Sequence, residues 1–80
     1  MRLPRDLSGR DLVAALAKLD YARTRQSGSH IRATTYRDGE HHVTVPDHDP
    51  LKLGTLNAIL RDLGEHHNLS RDEILRTLFG

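Results

Sequence analysis

The sequence predicts an α+β fold of order α-β-β-β-α, a three-stranded antiparallel sheet with helices on one face, plus a short C-terminal helix. Three observations predict it. Two serine-x-x-acid signatures, Ser8 to Asp11 and Ser70 to Glu73, each precede apolar residues at helical spacing. Residues 30–36 and 40–45 alternate in polarity around Arg37-Asp38-Gly39, as the arms of a β-hairpin do. The chain has 80 residues, enough for one domain (1–80) and not two. A domain of this size buries only about 60% of the surface its unfolded chain exposes. One layer of helix on one sheet is the natural solution.

The first helix opens at Ser8-Gly9-Arg10-Asp11, where serine and acid cap reciprocally. Leu12, Ala15, Leu16 and Leu19 form its apolar stripe, and it is expected to end near Asp20. Tyr21 to Gln26 reads as a strand and Ser27-Gly28 as a turn. The strands His30 to Tyr36 and Glu40 to Val45 follow. A two-residue Asp38-Gly39 loop would set Ala33 opposite Thr44 and turn Val43 to the other face. A three-residue loop, Arg37 to Gly39, pairs Tyr36 with Glu40, Ala33 with Val43 and Ile31 with Val45. It requires Gly39 in the left-handed region. Because burial of one face fixes register, the three-residue loop is preferred. Ile31, Ala33, Val43 and Val45 then face the helices, and His30, Arg32, Thr34, His42 and Thr44 share the accessible face. The pattern leaves open on which side Arg23 and Arg25 lie.

Pro46 ends the third strand, since it has no N–H for a ladder bond. A loop over Asp47 to Pro50 leads to a second helix with Leu56, Ile59, Leu60 and Leu63 inward. Gly64 is its expected stop, and Glu65 to Leu69 the polar connection. Ile74, Leu75 and Leu78 make the last short helix.

Composition narrows the function. There is no cysteine, so neither a disulfide framework nor a thiolate metal site is available. No apolar run approaches the roughly 20 residues that span a bilayer, and Met1 to Asp6 lacks the apolar stretch of a signal peptide. A soluble, cytoplasmic protein is expected. Net charge is only +1, from 12 Lys+Arg against 11 Asp+Glu, so any basic surface must come from distribution. Ten of the twelve cations are arginine, whose planar fork suits phosphate and carboxylate.

Six histidines invite catalytic and metal readings. His41 and His42 are neighbours on a strand and point to opposite faces. A catalytic zinc site needs three protein ligands, and His41, His42, His48, His66 and His67 are read as solvated. No metal or cofactor is expected. Gly28-Ser29-His30 is the sharpest local feature. A histidine at a turn-to-strand junction, near Arg23, Arg25 and Arg32, can meet a phosphodiester without prior desolvation. Imidazole can take a proton from a ribose 2′-OH or give one to a leaving 5′-oxygen, while arginines stabilise charge on the phosphate. An ordinary surface histidine after a turn satisfies the same three residues. Tyr21 and Tyr36 are candidates for stacking on unpaired bases. The chain is sparse in aromatics for a platform, and Tyr21 and Phe79 are assigned to the core or its margin.

Arg25-Gln26-Ser27-Gly28-Ser29-His30, then Val43-Thr44-Val45-Pro46 with His48 behind it, then Leu53-Gly54-Thr55-Leu56 opening a helix through Ile59-Leu60, occur together in order. Over roughly Ser8 to Leu63 the chain resembles the HicA (YcfA-like) toxin family. The resemblance implies a double-stranded-RNA-binding-domain-like fold and ribosome-independent mRNA cleavage, making the chain an mRNA interferase. It further implies a catalytic histidine at His30 and a HicB-type antitoxin that covers the site; Arg23, Arg25, Ser29 and Arg32, close to His30, are the candidate RNA-binding residues. Two positions depart from the family pattern. Ser27 stands where lysine is frequent, and Asp20 stands where a glycine commonly precedes the first-strand aromatic. Two other classes fit the residues: a non-catalytic RNA-binding module, and a protein–protein adaptor using the exposed sheet face.

Overall fold

The computed structural model describes residues 3–80. Helix α1 spans Gly9–Leu16 and tightens into a 3-10 turn over Ala17–Leu19. Strands β1 (Ala22–Ser27), β2 (His30–Thr35) and β3 (His41–Pro46) follow, then helices α2 (Leu53–His67) and α3 (Arg71–Phe79). The strands form one antiparallel sheet in the order β1-β2-β3.

Both helix starts are built as the sequence demands. Ser8 and Asp11 cap α1 reciprocally, and Ser70 and Glu73 do the same for α3; each cap contributes about 1 kcal/mol. Asp20 ends the first helical segment in the left-handed region (φ 63°). Glycine adopts that conformation most readily, and aspartate tolerates it.

The hairpin register agrees with the three-residue loop, since Ile31 pairs with Val45, Ala33 with Val43 and Thr35 with His41. The loop differs in one respect: Asp38 (φ 58°) as well as Gly39 (φ 99°) is left-handed. The Asp38 carboxylate accepts from His67 Nδ1 at 2.9 Å, which holds the residue in that conformation. Ala33, Val43 and Val45 are buried in one cluster with Leu12, Leu16, Leu60, Leu63, Ile74 and Leu78, and Ile31 is fully buried as well. The helices therefore cover one face of the sheet.

Helix α2 does not stop at Gly64. It continues through His67 and ends at Asn68, which is left-handed (φ 54°) and donates its N–H to the Gly64 carbonyl. The glycine is required by the next turn, because a Cβ there would press on the Leu69 carbonyl at 2.9 Å. Among the described residues no helix is long and apolar enough to cross a membrane.

Candidate nucleic-acid interface

The uncovered sheet face is laid out by the pairing of β1, β2 and β3. Ser27 pairs with His30, which pairs with Pro46, and Arg25 pairs with Arg32, which pairs with Thr44. Paired residues on neighbouring antiparallel strands share a face. His30, Arg25 and Arg32 therefore stand together on the open side, and all three are exposed. His30 enters β2 directly after Gly28-Ser29, a two-residue loop in which Gly28 takes φ 57°. Glycine is the residue that adopts this conformation without strain. Among the described residues the His30 imidazole has no hydrogen-bond or ion-pair partner, nor do the guanidinium groups of Arg25 and Arg32.

Arg23 does not join them. The ladder slips between Arg23 and Arg25, so that Thr24 bulges and Arg23 pairs with Ala33. Arg23 thus lies on the helix side of the sheet edge, beside Arg10, Val13 and Ala14 of α1. A bulge reverses the alternation of side chains along a strand, and nothing in the residues Tyr21 to Gln26 announces it. Ser29 is exposed in the loop, and its carbonyl accepts from the Asp47 N–H at 2.6 Å.

That bond is one of several that fix the His30 end of the sheet. The Gly9 N–H donates to the His48 carbonyl at 2.9 Å. A Cβ at Gly9 would collide with the Pro46 carbonyl, so only glycine lets the first turn of α1 approach this closely. The Arg10 guanidinium grips the Asp47 carboxylate through Nε (3.1 Å) and Nη2 (3.1 Å). This hydrogen bond holds the Asp47 carboxyl below the usual range, so the acid is ionised and already partnered. None of these contacts was evident from sequence, because they join residues up to 39 positions apart.

Further along the open face Thr34 is buried, although its position in the alternation suggested access. The bulged Thr24 and the β3 residue His42 close over it. A hydrogen-bonded chain crosses the three strands here. Thr24 Oγ1 lies 3.1 Å from Thr34 Oγ1, which lies 2.7 Å from His42 Nδ1, and His42 Nε2 lies 2.7 Å from Glu40 Oε2. Tyr36 stands beyond this chain, 74% exposed.

Three histidines occupy the other face and are not solvated as expected. The Tyr21 hydroxyl lies between His41 Nδ1 (2.6 Å) and His67 Nε2 (3.0 Å). The outer nitrogens of these imidazoles meet carboxylates, Asp62 on His41 (3.1 Å) and Asp38 on His67 (2.9 Å). Carboxylates only accept, so the outer nitrogens donate, and the single tyrosyl proton serves one inner nitrogen at a time. Burial, with Asp62 nearby, makes Tyr21 harder to ionise than free tyrosine. His66 stacks on His41 with ring centroids 4.2 Å apart, and its Nε2 donates to the carbonyls of Arg37 and Gly39. This cluster ties the end of α2 to the β2–β3 loop. Among the described residues no group of three or more histidines and carboxylates is arranged to hold a metal ion.

No curated protein and no solved structure is significantly similar to the chain. A family model described as the HicA toxin of bacterial toxin-antitoxin systems matches residues 9–65. The match runs from the start of α1 to the last turns of α2 and includes the whole sheet. The chain belongs to the HicA toxin family.

Proposed function

We propose that this HicA-family chain is an endoribonuclease toxin that cleaves mRNA with His30 as its catalytic residue and without a metal ion. The observation that carries the reading is the Arg25–Arg32 pair. Like charges directly opposite each other on paired strands are destabilising, yet both guanidinium groups are exposed and neither has an acidic partner among the described residues. A polyanion resolves that conflict, and His30 lies two residues along β2 on the same face, about 7 Å from Arg32 by strand geometry.

In this mechanism His30 accepts the proton of a ribose 2′-OH as that oxygen attacks the adjacent phosphorus. The bond from phosphorus to the 5′-oxygen breaks, and the departing 5′-oxygen takes a proton from solvent. The products are a 2′,3′-cyclic phosphate and a 5′-hydroxyl. Arg25 and Arg32 stabilise charge on the non-bridging oxygens, and Ser29 contacts the backbone beside His30. Arg23, on the far side of the strand edge, adds to the local positive field, whereas Arg10 is neutralised by Asp47. The nucleophile belongs to the substrate, so RNA is cut and DNA is spared. The partner is a HicB-type antitoxin that places an acidic surface over His30, Arg25 and Arg32, with association faster at low salt.

The test is incubation of purified protein with RNA in the presence and absence of EDTA, with analysis of product ends. Expected are cyclic phosphate ends in both conditions. Cleavage abolished by EDTA, or ends bearing a 5′-phosphate, would overturn the mechanism and favour a metal-dependent route or RNA binding alone. Antitoxin and RNA should also exclude each other, and a stable ternary complex would count against the proposed occlusion.

A further inference from the structure

We propose that the open face is a track for unpaired RNA running along β2 from His30 to Tyr36, with Tyr36 as a base-stacking platform at its far end. The inference rests on the RNA-cleaving reading of the same face and assigns it a substrate class, single-stranded rather than duplex RNA. Among the described residues Tyr36 is one of two large hydrophobic side chains left exposed, the other being Leu53 on the first residue of α2. It borders one shallow concavity of about 300 Å³ with Thr24, Arg25, Arg32, Thr34 and His42. Exposed arginines therefore lie between the imidazole and the aromatic ring along one continuous surface.

The floor between them is rigid. Thr24, Thr34, His42 and Glu40 are hydrogen-bonded to one another across all three strands. Glu40, the carboxylate at the Tyr36 end, is engaged by His42 and so does not confront the phosphate chain as an isolated anion. An aromatic ring projecting from a sheet beside phosphate-directed cations suits splayed bases, as in single-strand readers. A duplex keeps its bases stacked internally and offers Tyr36 no free face.

The geometry sets a length requirement. From His30 to Tyr36 is six residues, about 20 Å at the rise of a strand. That distance equals about six nucleotides at a stacked rise of 3.4 Å, and fewer when the chain is extended. A dinucleotide bound at His30 cannot reach Tyr36, whereas a ten-nucleotide strand can.

The test measures binding of 2′-O-methylated, mixed-sequence RNA, in which the attacking hydroxyl is blocked, so cleavage does not enter the readout. Tyr36→Ala should weaken binding of the single-stranded ten-mer about tenfold, within the range for loss of one base–aromatic stack. It should leave the dinucleotide unchanged, and Tyr36→Trp should restore ten-mer affinity. The same ten-mer annealed to its complement should bind more weakly and be insensitive to Tyr36. No loss in Tyr36→Ala, an equal loss for dinucleotide and ten-mer, or tighter binding of the duplex would each overturn the track. Cleavage by the unaltered protein with a silent Tyr36 would sink this inference alone. Tyr36-dependent binding with no cleavage of ordinary RNA would sink the nuclease mechanism alone.

Discussion

His30 and the His41–His66–His67 group lie at opposite ends of the β2–β3 hairpin and on opposite faces of the sheet. His30 is exposed and its ring has no partner among the described residues, while its backbone is fixed by the Gly28-Ser29 loop and the pairing with Ser27 and Pro46. His41 and His67 engage both ring nitrogens, with Tyr21 and with the carboxylates of Asp62 and Asp38, and His66 engages Nε2 with the carbonyls of Arg37 and Gly39. One end thus spends histidine on construction, and the other leaves it free on a rigid mount. Free imidazole on fixed backbone is what proton transfer needs, and saturated imidazole is what a junction needs.

Substitutions at the two ends should have opposite effects. His30→Ala should lower RNA cleavage by about 10²–10⁴-fold, the range for a general acid–base residue. Its thermal midpoint should stay nearly unchanged, because the exposed ring has no hydrogen bond or ion pair among the described residues to lose. Initial rates on a fixed RNA and a melting curve on the same sample decide it. A His30→Ala protein that cleaves normally, or that melts early, would remove the distinction between the two ends.

His67→Ala should do the reverse. The ring is 1% exposed and joins Asp38 to Tyr21. Truncation should cost about 1–3 kcal/mol by leaving polar groups poorly paired. The denaturation midpoint should fall at constant m-value, with cleavage per folded molecule preserved. Loss of activity in a variant that remains folded would place the cluster in the reaction.

The Arg25–Arg32 pair sharpens the account of the free end. Arg25→Ala and Arg32→Ala should each reduce the slope of log affinity against log salt by about 0.7, the value for one phosphate contact on a single strand. Arg23→Ala, on the helix side, should leave the slope nearly unchanged. Equal slopes for all three variants would show that the bulge does not sort these arginines as the structure indicates.

The same contrast explains what was legible in the sequence. Both capping boxes, the hairpin register and the core residues of β2 and β3 follow from neighbours within a few positions, and they appear as expected. The residues around Gly28-Ser29 likewise mark His30, Arg23, Arg25 and Arg32 as candidates, and the alternation puts His30 and Arg32 on one face; that Arg25 joins them and Arg23 does not follows only from the strand pairing. Whatever joins distant segments was not legible. Tyr21 meets His67 across 46 positions and Arg10 meets Asp47 across 37. The Thr24 bulge, which separates Arg23 from Arg25 and covers Thr34, follows from pairing with β2 and not from the β1 residues themselves. Gly64 reads as a helix stop because glycine usually is one, but here it serves the close passage of the Leu69 carbonyl.

The smallest expected effect concerns Asp38, where the saturated end meets solvent. The hydrogen bond from His67 depresses the Asp38 carboxyl below its usual value; desolvation opposes it, and the electrostatic influence of His67, Arg37 and His66 adds to the lowering. A carboxyl with a depressed folded value stabilises the fold fully above its unfolded value, about pH 4. That contribution is lost as pH falls through the lower folded value. The side chain is 53% exposed, so solvent screening keeps the effect small. Asp38→Asn isolates it, because asparagine tolerates the left-handed backbone and can still accept from His67 Nδ1. The variant should melt slightly below the unaltered chain at pH 6 to 7, and the difference should shrink progressively as the pH falls below about 4. Raising the salt concentration at neutral pH should narrow the gap in the same way. A difference that persists undiminished in acid would assign the contribution of Asp38 to loop geometry rather than to its charge.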